Sequence, residues 1–261
     1  MRVYCCQLDT AWENPSANHA RVRALLDAAL PEPESLVVLP EMFATGFSMN
    51  VAKIAADDSA QTMQFLSTTA RDLCICLIGG LVIRAADGRG LNQAVAFDPS
   101  GREIARYSKL HPFTFAGESA HYAPGEAIVT FNLNPFTVAP FICYDLRFPE
   151  AFRSAVRRGA DLFPIIANWP AARESHWVAL LRARAIENQA YVVGVNRSGK
   201  DPTNSYSGRS LIIDPRGDVL AEAGSGETVL HADLDWENLR AYRASFPVLR
   251  DARKEFRAAG E

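Results

Sequence analysis

Phe141-Ile142-Cys143-Tyr144-Asp145-Leu146-Arg147-Phe148-Pro149-Glu150 sets a single thiol where an apolar run ends and a helix can begin. A strand over about 136–142 stops at the cysteine, and Pro149 with Glu150 suits the first turn of a helix. Such a junction presents free backbone N–H groups and a partial positive potential, which favour a thiolate and can hold the oxyanion formed when it attacks a carbonyl. An unpaired cysteine is more commonly a small buried hydrophobe. Here Asp145, Arg147 and Glu150 crowd charge around it, so Cys143 reads as a nucleophile.

Outward from this junction, apolar runs of strand length alternate with stretches of helical period. Upstream, residues 2–8 read as a strand, 16–29 as a helix with Ser16 as N-cap, and 36–39 as a buried strand ending at Pro40. A helix over 59–71 and strands over 73–83, 94–97 and 103–107 follow, the last two joined by Asp98-Pro99-Ser100-Gly101. Downstream come a helix over 149–158, a strand over 162–166, a helix over 173–188 and a strand over 191–196. A second hairpin, 208–213 with 219–223, turns at Asp214-Pro215-Arg216-Gly217.

Each half thus runs through a βαβ order and ends in a hairpin with nearly the same turn, which predicts an internally pseudo-symmetric α/β sandwich. No linker or low-complexity tract divides it, so one domain over 1–261 is expected. Segment 236–256, with Phe246-Pro247-Val248-Leu249, is too apolar for a solvated tail and too irregular for a free helix. The arm from about 236 to 261 is therefore expected to pack across a subunit interface, with packing on its own domain as the alternative.

Composition bounds the function. With 48% apolar and 22% charged residues the chain has ample core material and no signature of disorder. A net charge of −3 with dispersed basic residues argues against a nucleic-acid partner. Five cysteines make no secreted-type disulfide framework, so a reducing, cytoplasmic setting is expected. Cys5, Cys6, Cys74 and Cys76 lie in apolar runs and read as strand residues that fill the core. The Cys74/Cys76 pair lacks a second pair at zinc spacing, so no metal site is expected. The longest apolar run, 73–83, is too short to cross a bilayer, and no secretory leader is read at the N-terminus.

A nucleophilic cysteine needs a base and an oxyanion donor. Histidine is the usual base, and a dyad of Cys143 with His111 or His176 stays open at this level. Glu41 is a second candidate, since it follows Leu36-Val37-Val38-Leu39-Pro40, and the carboxyl ends of buried strands are where α/β sheets place their ligand crevices. Lys109 ends another strand, in Tyr107-Ser108-Lys109-Leu110-His111, where an ammonium would lower the thiol pKa and donate to an oxyanion.

Leu39-Pro40-Glu41, Lys109-Leu110-His111 and Cys143 to Glu150 resemble, in order and interval, the three signature regions of the carbon–nitrogen hydrolase (nitrilase) superfamily. Asn168-Trp169-Pro170, 182–189 and Gly208-Arg209-Ser210 extend the likeness over essentially the whole chain. The resemblance implies a four-layer αββα sandwich, commonly dimerised, and a Glu41–Lys109–Cys143 triad with Glu118 as second glutamate. It further implies amide hydrolysis through a thioester, with the Tyr144 backbone N–H helping Lys109 to hold the oxyanion and with no metal or organic cofactor.

Within the superfamily, the compact length and the stretch 168–177 are most similar to the omega-amidase branch, which the resemblance links to dicarboxylate monoamides such as 2-oxoglutaramate and 2-oxosuccinamate. Arg173 is then the candidate for the remote carboxylate, because guanidinium binds carboxylates through paired hydrogen bonds. Phe43, Phe47, Phe113, Phe115, Tyr122 and Trp169 are candidates for the pocket around the carbon chain. Asp145 and Arg147 read as braces of the nucleophile turn. The alternatives are another small C–N hydrolase, acting on N-carbamoyl amino acids, aliphatic amides or nitriles, and a catalytically idle scaffold.

Overall fold

The computed structural model describes residues 1–55 and 57–253. The first half runs β1 (Arg2–Gln7), α1 (Pro15–Ala29), β2 (Leu36–Val38), α2 (Val51–Ile54), α3 (Asp57–Asp72), β3 (Cys76–Arg84), β4 (Gly90–Phe97), β5 (Glu103–Ser108) and the single-turn α4 (Glu118–His121). The second runs β6 (Phe131–Leu133), β7 (Phe136–Val138), β8 (Phe141–Ile142), α5 (Pro149–Arg157), β9 (Leu162–Ala167), α6 (Glu174–Asn188), β10 (Tyr191–Asn196), β11 (Ser198–Lys200), β12 (Ser205–Ser207), β13 (Leu211–Ile213) and β14 (Val219–Glu222), closing with β15 (Thr228–Asp233) and α7 (Trp236–Ser245).

Two large sheets result, in the orders β15-β1-β2-β3-β4-β5 and β14-β13-β10-β9-β7-β6, with β8 also pairing β9, and β11 and β12 form a separate two-stranded pair. The large sheets repeat one plan. β1, β2 and β3 are parallel and lead into the antiparallel pair β4–β5. Likewise β7 and β8 lie parallel to β9, β9 to β10, and β10 leads into the antiparallel pair β13–β14. Both hairpins turn as read, with Gly101 and Gly217 at φ +80° and +89°, a region that a side chain disfavours.

Period-two burial builds the layers. Val3, Cys5, Leu36, Val38, Cys76 and Ile78 face the second sheet and pack with Val138, Phe141, Ile142 and Ile165 in one core. Their alternates Tyr4, Cys6, Val37, Leu39 and Leu77 face outward and are covered by Val22 and Leu26 of α1 and Leu66 and Ala70 of α3. Trp177, Leu181 and Ala185 of α6, with Phe152 of α5, cover the other sheet. The αββα expectation holds. No helix among the described residues is long and apolar enough to cross a membrane.

Several local expectations need correction. Asn14 and not Ser16 caps α1, its Oδ1 accepting from Ala17 N at 3.2 Å with Pro15 in the first turn. Cys74 lies in the turn before β3 at φ +53° and is exposed, so only Cys5, Cys6 and Cys76 of the four fill the core. The strand expected over 136–142 is two short strands, because Pro140 has no N–H to give the ladder. The segment from Trp236 is a regular helix, capped by Asp235, that docks on its own chain through Leu239 and an Arg243 Nε bond to Gln189 O at 2.9 Å. Residues 254–261 of the arm, Phe256 among them, lie outside the described residues.

Candidate active site

Four functional side chains converge from four strand ends and loops. Glu41 lies just beyond β2, where residues 40–42 cross the neighbouring strand over Gly80. A Cβ on Gly80 would stand 2.6 Å from both Glu41 Cα and Met42 N, so only glycine lets the chain pass this close. Lys109 follows β5 directly, its N–H bonded to Asn92 O at 2.9 Å. Glu118 opens α4, and Cys143 follows β8 at φ +48°, beginning a 3-10 turn over Cys143–Arg147. The leading N–H groups of such a turn, Tyr144's included, have no carbonyl within it to bond.

Asp145 holds that turn. Its Oδ2 accepts from Ile142 N at 3.1 Å and from Tyr107 Oη at 2.7 Å, and its Oδ1 accepts from His111 N at 3.0 Å. His111 Nδ1 lies 2.8 Å from the same Oδ1, its ring stacked on Phe148, while His176 Nδ1 lies 3.2 Å from Arg147 Nη2. The imidazoles are thus engaged elsewhere, and the charges around the sulfur are those of Glu41, Lys109 and Glu118.

All four of these groups are buried. Lys109 Nζ donates to Glu41 Oε1 at 2.9 Å and to Glu118 at 2.8 and 3.1 Å. Asn92 Nδ2 spans the two carboxylates, 2.7 Å from Glu41 Oε1 and 3.0 Å from Glu118 Oε1. The other oxygen of Glu41, Oε2, accepts from Asn168 N at 2.7 Å, and Asn168 Nδ2 lies 2.7 Å from Glu41 O. Asn168 O in turn is 3.9 Å from Cys143 Sγ, so one residue touches both nucleophile and carboxylate. Asn92 and Asn168 were missed as site residues in the sequence, where an amide in or after a strand carries no chemical signal of its own.

Burial opposes the charge of Lys109, yet Glu118 and Glu41 outweigh it and hold the ammonium well above its ordinary range. Burial pushes the Cys143 thiol well up, and Glu41 pushes it further against the pull of Lys109. This corrects the thiolate expected from the strand–helix junction. A short 3-10 turn facing a net anionic cluster does not ionise a buried sulfur, so the resting group is a thiol.

Cys143 and Tyr144 line one end of a cavity of about 460 Å³. Phe47, Phe113, Phe115, Trp169 and Arg173 line it as expected, Phe115 at the mouth with 86% exposure. Arg173 Cζ stands over the rings of Phe113 and Phe115 at 5.5 and 5.9 Å. Arg147 also lines the cavity, 4.8 Å over the Trp169 ring, so it belongs to the pocket and not only to the nucleophile turn. Phe43 does not line it. Fully buried, it points to the outer face of the first sheet and packs with Leu66, His19 and Phe65. Tyr122 is buried beside Met42, its hydroxyl on Ser48 O. Trp12, between β1 and α1, and Thr203, Asn204 and Tyr206 of the β11–β12 hairpin also line the cavity, and the sequence did not single them out.

Residues 2–244 match the model of the carbon–nitrogen hydrolase family. The chain belongs to that family. It is 41% identical to the omega-amidase YafV of Escherichia coli K12 over 98% of both chains. It is 35% identical to the 2-oxoglutaramate amidase of Bacillus subtilis over 97% of this chain and 98% of that one. Among solved structures, a carbon–nitrogen hydrolase superfamily protein of Xanthomonas campestris, with an arsenic adduct in its active site, superposes with a TM-score of 0.91 at 34% identity over 97% of both chains.

Proposed function

We propose that this carbon–nitrogen hydrolase is an omega-amidase, cleaving the terminal amide of small dicarboxylate monoamides such as 2-oxoglutaramate and 2-oxosuccinamate to acid and ammonia. The observation that carries the reading is a cysteine backed by a buried Glu41–Lys109–Glu118 cluster, in a cavity whose lining side chains include two guanidinium groups and no carboxylate. The naming of the two amidase relatives supports the same class.

In this reading Glu41 takes the thiol proton as Cys143 Sγ attacks the amide carbon, and Lys109 with the Tyr144 N–H holds the oxyanion. The raised thiol pKa keeps the proton on sulfur until attack, so transfer and bond formation proceed together. The tetrahedral adduct collapses with cleavage of the C–N bond, and Glu41 returns its proton to the departing nitrogen, giving ammonia and a thioester. Water, deprotonated by Glu41 and positioned by Glu118, then attacks the thioester carbon, and the Cys143 sulfur leaves and is reprotonated. Arg173, joined by Arg147, holds the remote carboxylate, while Trp169 and Phe115 flank the carbon chain.

The test is an ammonia-release screen over 2-oxoglutaramate, 2-oxosuccinamate, glutamine, N-carbamoyl amino acids, aliphatic amides and nitriles, with Cys143→Ala as blank. The 2-oxo monoamides should rank first. A carbamoyl amino acid, neutral amide or nitrile at the head of the ranking overturns the assignment. The proposal includes a cytoplasmic homodimer, supported by five free thiols and by Ile186 and Phe246, which are 49% and 56% exposed; sedimentation of the purified chain tests the dimer.

A further inference from the structure

Two carboxylates and one ammonium share a buried site, Lys109 Nζ lying 2.9 Å from Glu41 and 2.8 Å from Glu118. Lys109 answers one negative charge. The second donor reaching both carboxylates is neutral: the Nδ2 of Asn92, 2% exposed in the middle of the sheet, within 2.7 Å of Glu41 Oε1 and 3.0 Å of Glu118 Oε1. The same residue's carbonyl fixes the backbone of Lys109. Lys109 and Asn92 together occupy Glu41 Oε1, and an oxygen accepting two short bonds is a poor proton acceptor. Oε2 accepts one short bond, from Asn168 N at 2.7 Å, and a longer one from Asn168 Nδ2 at 3.3 Å, and Asn168 also touches the Cys143 sulfur.

We propose that Asn92 is a positioning residue for the catalytic base: its shared amide takes up Glu41 Oε1 and leaves Oε2 as the more open oxygen for proton transfer. The proposal rests on the reading of Glu41 as base. The titratable groups around Glu41 are Lys109 from the end of β5, Glu118 of α4, Tyr122 just after it, and Cys143 from the end of β8. Removing the Asn92 donor leaves all of them in place and makes protonation of the carboxylate pair easier, so the acid limb of activity moves to higher pH. Asn92 is not among the cavity-lining residues, so substrate affinity should be untouched.

The experiment compares Asn92→Ala and Asn92→Asp with the unaltered protein, using 2-oxoglutaramate at a series of pH values. For Asn92→Ala, kcat should fall about 10- to 100-fold, the loss of one hydrogen bond to a charged group, with KM within about twofold. The acid limb of kcat/KM should rise by about one pH unit. A protonated aspartic acid keeps the shape and one donor, so the activity ratio of Asn92→Asp to Asn92→Ala should be highest at acid pH and decline as pH rises. A KM effect without a kcat effect, an acid limb that stays in place, or a ratio that does not vary with pH overturns the proposal. Should Asn92→Ala fail to fold, the pH trend of Asn92→Asp decides alone. Glu41→Gln, run alongside, separates the two ideas: if it retains full turnover, the assignment of the base has failed, whatever the Asn92 variants do.

Discussion

The two halves of the molecule share a strand plan and differ in chemistry. In each, three parallel strands lead into an antiparallel hairpin, and just beyond the second parallel strand stands a residue of the site: Glu41 after β2, Asn168 after β9. These counterparts are bonded to each other, Asn168 N to Glu41 Oε2 at 2.7 Å. The first half supplies buried charge in Glu41, Lys109 and Glu118, with the neutral amide of Asn92 between the carboxylates. The second supplies the sulfur and much of the recognition surface, Cys143, Trp169, Arg147 and Arg173. A repeated scaffold thus opens two strand-end crevices toward one another, and the labour is split between them.

Variants can break that division or sharpen it. The largest effect is expected at the nucleophile: Cys143→Ala should cut ammonia release by about 10⁴-fold or more while leaving the melting transition in place. Lys109→Met strands two carboxylates in the interior, and denaturant melts should show a loss of about 3–5 kcal/mol; a melt unchanged from the parent would mean that the first half does not depend on this cation. Phe43→Ala should cost about 3–4 kcal/mol of stability with KM unchanged, since the ring belongs to the outer core and not to the cavity. Arg173→Met and Arg147→Met should each raise KM about tenfold for a carboxylate-bearing amide and little for a neutral one, the worth of a charge-assisted bond. An equal effect on both substrates would remove that arginine from recognition. The mildest effect concerns pH: because the Cys143 thiol is raised, its alkylation by iodoacetamide should quicken by up to about tenfold per unit of rising pH below that pKa, with no plateau at neutrality.

Legibility followed the same divide. Motifs that end strands, Leu39-Pro40-Glu41, Lys109-Leu110-His111 and the cysteine junction, mark the charged floor because charge at the end of an apolar run is conspicuous. Alternation likewise disclosed both sheets. Phe43 misled because an aromatic two residues past a catalytic carboxylate reads the same whether it faces cavity or core; only the outward face of the sheet decides. Asn92 has no such mark, since a strand asparagine looks like an ordinary polar residue until two carboxylates arrive from other parts of the chain. Thr203, Asn204 and Tyr206 come from the β11–β12 hairpin, whose short strands have too little alternation to show. Cys74 was misplaced because its apolar neighbours extend the strand signal into a turn.

Gly80 carries a hydrogen where any other residue would carry carbon, and the segment bearing Glu41 lies against that bare backbone. Adding one methyl there would lift the carboxylate off its seat while every reacting group remained chemically intact. Inactivating lesions in this enzyme are therefore to be sought at an apolar spot with no functional side chain, where catalysis depends on an atom that is not there.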